Sequence, residues 1–327
     1  MSTRKRIRRK NKKSVIKKLF ISTIIAIALI LFTIGSYVYL QYEAGKSLSE
    51  NQLSEASETP TIPKKHSTKK ILSTNEPENN APINVLLVGV DKLNNGLART
   101  DTIMIAQYNP LNGDSKVASI MRDSYVEVPG RSNNKINASF AFGGVDLLRE
   151  TIRHNFGLDI HYYALINFEG FIHLVDTIAP NGITVLTEEQ MYDPNNSIKF
   201  QPGEHVLDGV NTLNYVRFRK DRENDFGRVR RQQEVLNLLK NELFTLSGIS
   251  KIPKLTGMIE PHLDTNIQTS KLLSLGRDVV LNPIDEIKTL RIPIDGSFKD
   301  AYYQHAGSVL QMDLEENQKA IQEFFSN

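Results

Sequence analysis

Leu19–Leu40, LFISTIIAIALILFTIGSYVYL, is twenty-two residues without a charge. A run of that length crosses a hydrocarbon layer of ~30 Å as a helix, the one open-chain form that satisfies its own backbone in lipid. It divides the chain into a short leading arm, a span and everything that follows. A secretory leader carries ~7–15 apolar residues and a small-residue cleavage site. This run is longer, and Ser36-Tyr-Val-Tyr39 is a poor cleavage site, so an uncleaved anchor over 19–40 is expected. Residues 1–18 hold ten Lys and Arg and no acid. The positive-inside rule keeps that arm cytoplasmic and sends the remainder outside, which gives a single-pass type II protein of the cell membrane.

The same arm accounts for the basic balance. Without its ten bases, thirty Lys and Arg face thirty-seven Asp and Glu, so residues 19–327 are formally −7. A nucleic-acid partner is therefore not expected. The absence of cysteine excludes disulfides, thiol catalysis and Cys-based zinc sites. The seven histidines show no HExxH or HxH spacing, and no GxSxG elbow or Walker loop is present.

Residues 41–82 are rich in Ser, Glu, Lys, Asn, Pro and Thr without a sustained apolar period, and they read as a flexible stalk. Residues 83–327 are long enough for one large core. Ile83–Val90 is a nearly continuous apolar run, as in a strand buried on both faces. Thr102–Tyr108, Lys116–Met121, Tyr162–Asn167, Gly182–Leu186 and Lys288–Ile294 read as further strands. Gly143–Phe156, Phe168–Ile178 and Asp208–Tyr215 read as helices, and two or three more are expected after Pro253. Interleaved strands and helices give an α/β (α+β) layered fold: a mixed central sheet flanked by helices, preceded by the transmembrane helix.

The segment Tyr215–Gln233, YVRFRKDRENDFGRVRRQQ, packs seven basic residues and three acids into nineteen positions. Val216 and Phe218 alternate with Arg217 and Arg219, so an extended segment would put both guanidinium groups on one face. Asp225 reads as the N-cap of an amphipathic helix over Phe226–Phe244, with Val229, Leu236 and Leu243 at seven-residue spacing. Arg228, Arg230 and Arg231 then lie in its first turns, where the helix dipole disfavours cations. A bound anion would relieve that conflict, since helix N-termini and planar arginine forks both suit phosphate. A solvated basic surface screened by Asp221, Glu223 and Asp225 is the alternative.

Asp91 ends the first strand, at the edge where α/β sheets place ligands, and Asp101 follows ten residues on. Two such carboxylates can hold Mg²⁺, which prefers oxygen ligands and keeps waters for a phosphate. Turn and cap chemistry is the alternative for each. Arg122-Asp123 follows the third strand, either as an exposed arginine at the ligand edge or as a surface ion pair. Lys135-Ile-Asn137 supplies another cation or opens a helix.

Five segments carry a further signal: VLLVGVD (Val85–Asp91), ARTDTIMIA (Ala98–Ala106), SIMRDSYVEVPG (Ser119–Gly130), KINASFAFGG (Lys135–Gly144) and Tyr215–Gln233. In this order and spacing they resemble the LytR-CpsA-Psr family of cell-wall glycopolymer ligases, although Met121 stands where the family usually carries Pro. The resemblance implies a polyprenyl (pyro)phosphate site at Arg122, Lys135, Arg217, Arg219, Arg228 and Gln232, and Mg²⁺ at Asp91 and Asp101. It also implies an apolar tunnel for the lipid, for which Leu147, Ile152, Phe168, Phe171 and Leu174 are candidates.

The expected activity is that of a phosphotransferase outside the membrane. It moves an anionic glycopolymer, of teichoic acid or capsule type, from an undecaprenyl-pyrophosphate carrier to peptidoglycan. Arg122 would stabilise developing charge, and Asp101 or Asp225 would take the proton of the attacking hydroxyl. Two other readings stay open: a regulatory protein of the cell envelope, and a polyprenyl-pyrophosphate pyrophosphatase with water as acceptor.

Overall fold

The computed structural model describes residues 33, 35–48, 81–91, 99–196, 198–245, 252–259 and 262–326. The basic arm, most of the expected span, most of the expected stalk and residues 92–98 lie outside the described residues. Among those described, no helix is long and apolar enough to cross a membrane.

Helix α1 covers residues 35–48, so residues 41–48, expected in the flexible stalk, are helical. They dock on the helix Ile252–Ile259 through two glycines. A Cβ on Gly45 would lie 2.1 Å from the Lys254 carbonyl oxygen, and one on Gly257 would lie 2.1 Å from that of Tyr42. Only residues without side chains permit backbones to approach so closely.

The strands, in chain order, are β1 (Ile83–Asp91), β2 (Arg99–Tyr108), β3 (Ser115–Ile120), β4 (Tyr125–Val126), β5 (Asn134–Lys135), β6 (Tyr162–Asn167) and β7 (Ile183–Thr187). They continue as β8 (Met191–Asp193), β9 (Ile198–Phe200), β10 (Gly203–Leu207), β11 (Leu263–Thr265), β12 (Ile287–Ile292), β13 (Phe298–Tyr303) and β14 (Gly307–Met312). The helices after α1 are α2 (Ile136–Phe156), α3 (Phe168–Ile178), α4 (Gly209–Arg217), α5 (Asp225–Leu243), α6 (Ile252–Ile259), α7 (Thr269–Leu281) and α8 (Leu314–Ser326).

Six strands form the central sheet in the order β11-β6-β1-β2-β3-β12. It is mixed, as expected. β1, β2 and β3 run antiparallel in sequence, while β6 lies parallel to β1 and β12 parallel to β3. The strand near Gly182 exists but pairs only with β10, outside this sheet. The hairpin β13–β14 is also separate, and its sequence carried no alternation strong enough to announce it.

Strand alternation assigns the two faces of the sheet different tasks. Leu86, Val88 and Val90 enter a core shared with Leu148, Ile152 and Phe156 of α2 and with Ile321 and Phe325 of α8. Leu87 and Gly89 turn the other way, toward α3, α4 and α5. Those helices have their own core, built on Val175, Ile178, Leu213, Val216, Val235 and Leu239. Asn167 caps α3 by accepting from the Gly170 amide at 2.8 Å, and Asp208 caps α4 by accepting from Asn211 at 2.8 Å. α2 is broken at Gly143–Gly144, where Gly144 takes φ 67°, a conformation an L side chain resists. The expected helix start at Gly143 is therefore the second half of a longer, kinked element.

Candidate active site

A slip in the β1–β2 ladder places the first functional carboxylate. Gly89 pairs with Thr102 and Val90 with Thr100, which leaves Asp101 without a partner across the strand. Such a bulge re-aims a side chain that regular pleating would alternate. The Thr100 hydroxyl fastens it, its single proton shared between the Gly89 carbonyl at 3.1 Å and the Thr102 carbonyl at 2.9 Å. Asp101 thereby meets Arg122, in the turn after β3, in a charge-assisted hydrogen bond.

Arg122 is the hub of the site. Beyond Asp101, its Nε lies 3.3 Å from Asp123 and 3.2 Å from Asp225. Lys135, immediately before α2, pairs with the other oxygen of Asp123 at 2.8 Å. Lys135 opens the helix, as one of its two readings has it, and its ammonium is paired with Asp123. Asp225 in turn approaches Arg228 at 3.4 Å and Arg219 at 3.7 Å. Burial would raise the Asp101 pKa, but Arg122, helped by Arg228 and Arg219, holds the carboxyl below its ordinary value. Arg122 is displaced the opposite way, because Asp101 and Asp225 outweigh the burial that would lower it.

Two local expectations need correction. Asp225 is not the N-cap of α5. Asn224 occupies that position with φ 51° and makes no side-chain cap, and Asp225 is the first helical residue. Its carboxylate is drawn to three guanidinium groups instead of the helix amides. The stretch Tyr215–Arg219 is likewise not extended. α4 runs on through Arg217, and Phe218 is its C-cap. Val216 and Phe218 are nonetheless buried, and Arg217 and Arg219 still line one cavity, because the helix ends between them. The Arg217 guanidinium lies 4.3 Å over the Phe168 ring.

The three arginines at the start of α5 have three different tasks. Arg230 is exposed and pairs with Glu223 at 2.7 Å. Arg231 is 3% exposed, donating to Asp221 at 2.5 Å and to the Phe218 carbonyl at 2.6 Å, so it holds the α4–α5 turn together. Arg228 is also 3% exposed, and like that of Arg231 its Nε–H has no hydrogen-bond partner among the described residues. Unlike Arg231, whose terminal nitrogens are held at 2.5 and 2.6 Å, Arg228 has a 3.4 Å contact from Nη2 to Asp225. Burial pulls its pKa down to about 10, against the opposing pull of Asp225, so it remains a cation at neutral pH. A buried cation with an unpaired donor is costly unless an anion completes it.

Arg228 faces a cavity of about 690 Å³ between the sheet and α3, α4 and α5. Its lining changes character along each wall. On α5 it passes from Arg228 and Gln232 to Val235, Leu236 and Leu239. On the sheet it passes from Asp101 and Thr102 to Met104 and Leu87. Phe168, Phe171 and Leu174 of α3 complete the apolar part as expected, whereas Ile152 lies in the opposite core and Leu147 is not among the lining residues. Gln232 ties the two walls by donating to the Thr102 hydroxyl at 3.0 Å. The mouth thus presents Arg217, Arg219, Arg228 and also Lys220, whose Nζ lies 2.7 Å from Asp193. Lys220 went unnoticed because one lysine in a basic run carries no signal of its own.

For a metal, the backbone places Asp91 at the end of β1, opposite Arg99 and beside the bulged Asp101. Carboxylate oxygens are suitable donor chemistry for Mg²⁺, and the Asp101 carboxylate is paired with Arg122. Among the described residues, no group of three acid or histidine side chains could hold a metal ion, and the Asp91 side chain is outside them.

Comparison with known proteins adds an independent line. Residues 38–323 match the LytR_cpsA_psr family. The regulatory protein MsrR of Staphylococcus aureus (strain COL) is 38% identical over 263 residues, covering 80% of each chain. The polyisoprenyl-teichoic acid–peptidoglycan teichoic acid transferase TagU of Bacillus licheniformis is 32% identical over 262 residues, covering 79% of this chain and 81% of its own. The crystal structure of B. subtilis TagV superposes with a TM-score of 0.64 at 29% identity, covering 76% of this chain and 98% of TagV.

Proposed function

The chain belongs to the LytR-CpsA-Psr family, and from that premise we propose that it transfers an anionic glycopolymer from a polyprenyl-pyrophosphate carrier to peptidoglycan. The observation that carries this reading is the joining of an apolar cavity to a buried, incompletely bonded Arg228 at its mouth. A ligand with a hydrocarbon tail and a pyrophosphate head fills both at once. TagU, as a polyisoprenyl-teichoic acid–peptidoglycan teichoic acid transferase, pairs a polyisoprenyl-linked glycopolymer donor with a peptidoglycan acceptor, which supports this reading.

Arg219, Arg228 and Arg122 would hold the pyrophosphate, with Lys135 bracing Asp123 and Gln232 bracing the mouth. An acceptor hydroxyl attacks the polymer-bearing phosphorus. The new P–O bond replaces the bond to the bridging oxygen, and polyprenyl phosphate leaves with that electron pair. The hydroxyl proton passes to a carboxylate of the mouth, Asp101 or Asp225. Arginine forks already in position stabilise the charge that builds on the phosphoryl oxygens. Mg²⁺ held by Asp91 and Asp101 would supply further neutralisation of that charge.

The regulatory naming of MsrR supports a second reading, in which changes in gene expression follow from altered wall assembly. A pyrophosphatase would use the same site with water as acceptor. Incubating the purified full chain with a polyprenyl-pyrophosphate-linked polymer and peptidoglycan separates them. Polymer joined covalently to glycan, with release of polyprenyl phosphate, is expected. Free polymer phosphate alone would establish hydrolysis instead.

Two further outcomes are expected. Asp101→Ala should abolish the Mg²⁺ response of turnover and Asp91→Ala should weaken it. Asp101→Ala should also lower the melting temperature, because that half-buried carboxylate is ion-paired with Arg122. A full metal response in both variants would remove Mg²⁺ from these residues. The charge asymmetry around 19–40 supports a topology with the folded domain outside the membrane. Protease added to intact, wall-stripped cells should therefore digest it, and complete protection would reverse the topology.

A further inference from the structure

A second concavity, of about 930 Å³, opens beside the mouth and shares no lining residue with the lipid cavity. Helix α5 separates the two. Arg228 and Gln232 face the lipid side, while Phe226, Val229, Arg230 and Gln233 face this groove. The two spaces meet at one ion-pair network. Arg122 and Asp225 line the groove, yet Arg122 binds Asp101, and Asp225 contacts Arg219 and Arg228, all three of which line the lipid cavity. A pyrophosphate held by Arg219 and Arg228 would therefore lie at the seam, one ion pair from the groove.

The electrostatics of the two spaces differ. Along the lipid cavity, Arg217, Arg219, Lys220 and Arg228 outnumber Asp101 and Asp193. In the groove, Arg122, Arg222, Arg230 and Arg291 are matched by Asp123, Glu223, Asp225, Asp295 and Asp300. Several of these already neutralise one another, as in Arg230–Glu223 at 2.7 Å and the Arg291–Asp295 pair. The groove is thus rich in donors and acceptors but carries no excess positive charge for a second polyanion. Its apolar floor is the stacked pair Phe226 and Phe298, with centroids 5.4 Å apart. Such a mixture of apolar faces and oriented polar groups suits a neutral, hydroxyl-rich ligand.

The outer wall is the hairpin β13–β14, which the transfer chemistry above does not use. It is fixed to the very segment that carries Arg122 and Asp123. The Leu310 amide donates to the Asp123 carbonyl at 2.9 Å, and Tyr303 stacks on Tyr125 with centroids 4.4 Å apart. The groove is therefore preformed relative to the mouth.

We propose that this groove is the acceptor site, in which β13–β14 and the Phe226–Phe298 floor seat a peptidoglycan glycan chain with one hydroxyl directed at the seam. The proposal rests on the transferase reading and names its second substrate site. Phe298, Asp300 and Ser308 become specificity residues for the acceptor.

The test uses the full chain, soluble peptidoglycan glycan oligosaccharides as the acceptor probe, and farnesyl pyrophosphate as the donor probe. Ser308→Trp fills the groove from an exposed hairpin position, and Asp300→Ala removes one exposed carboxylate with little risk to the fold. Ser308→Trp should weaken oligosaccharide binding at least tenfold and raise the KM for acceptor, and Asp300→Ala should do so severalfold. The farnesyl pyrophosphate Kd should stay within about twofold. Oligosaccharide binding at the wild-type level in both variants would overturn the groove, as would absence of oligosaccharide binding in the wild type. Glycan binding that depends on Ser308 without any polymer transfer would retain the groove and sink the transferase reading instead. If Ser308→Trp also loses donor binding, Asp300→Ala alone decides.

Discussion

Arg228→Ala is expected to reduce polymer transfer by about 10²–10³-fold, the loss typical of one preorganised donor to a developing oxyanion. Arg228→Lys should fare little better. A lysine keeps the charge but cannot present the planar fork, and a lost charge-assisted hydrogen bond costs about 1.5–3 kcal/mol, or roughly ten- to a hundredfold. The fold should hardly notice. Arg228 is a desolvated cation whose neighbours include Arg122 and Arg219, and Asp225 keeps both of those after the substitution. Thermal stability without ligand should be unchanged or slightly raised, because replacing an incompletely paired buried ion is often neutral or favourable. Added farnesyl pyrophosphate should raise the melting temperature of the wild type and leave that of Arg228→Ala unmoved. A variant that transfers normally, or one that unfolds, would make Arg228 a structural residue.

Three positions along the same helix, the opposite outcome is expected. Arg231→Ala removes the partner of Asp221 and the donor to the Phe218 carbonyl. Asp221 already has one buried carboxylate oxygen without a partner, so the substitution leaves a poorly solvated charge. Breaking a buried pair on one side costs about 3–5 kcal/mol. At roughly 2–4 °C per kcal/mol for a domain of this size, the melting temperature should fall by about 6–20 °C. The double substitution Arg231→Met with Asp221→Leu should recover much of the loss, since it removes both charges together. By contrast Arg230→Ala, which breaks an exposed pair, should cost no more than about 1 kcal/mol. Differential scanning calorimetry on the four proteins decides the matter. A small loss in Arg231→Ala would mean that the α4–α5 turn is held by other contacts.

These two arginines show where reading from sequence stops. The segment Tyr215–Gln233 is legible as an anion site because charge density and a helix start are local properties. Which arginine does what is not. Arg228, Arg230 and Arg231 are chemically identical and occupy neighbouring positions, and only the packing of α4 and the sheet decides that one faces the cavity, one faces solvent and one holds a turn. The same limit applies to Asp101. It is identifiable as a strand-end acid, but its aim comes from a one-residue slip in the β1–β2 register, which no alternation pattern records. Lys220, Phe298 and the hairpin β13–β14 were missed for the same reason, since each matters only through what lies across from it.

By itself the sequence determined the apolar segment, the basic arm, the main strands and helices up to α5, the mixed-sheet class and the five blocks that carry the family. All of these depend on composition, periodicity or near neighbours along the chain. The tertiary structure alone decided that β1 serves a core on one face and a cavity on the other, that the end of α4 rather than an extended strand presents Arg217 and Arg219, and that Asp225 organises three guanidinium groups instead of capping a helix. Those outcomes depend on long-range contacts, in which burial and charge pairing outweigh local preference.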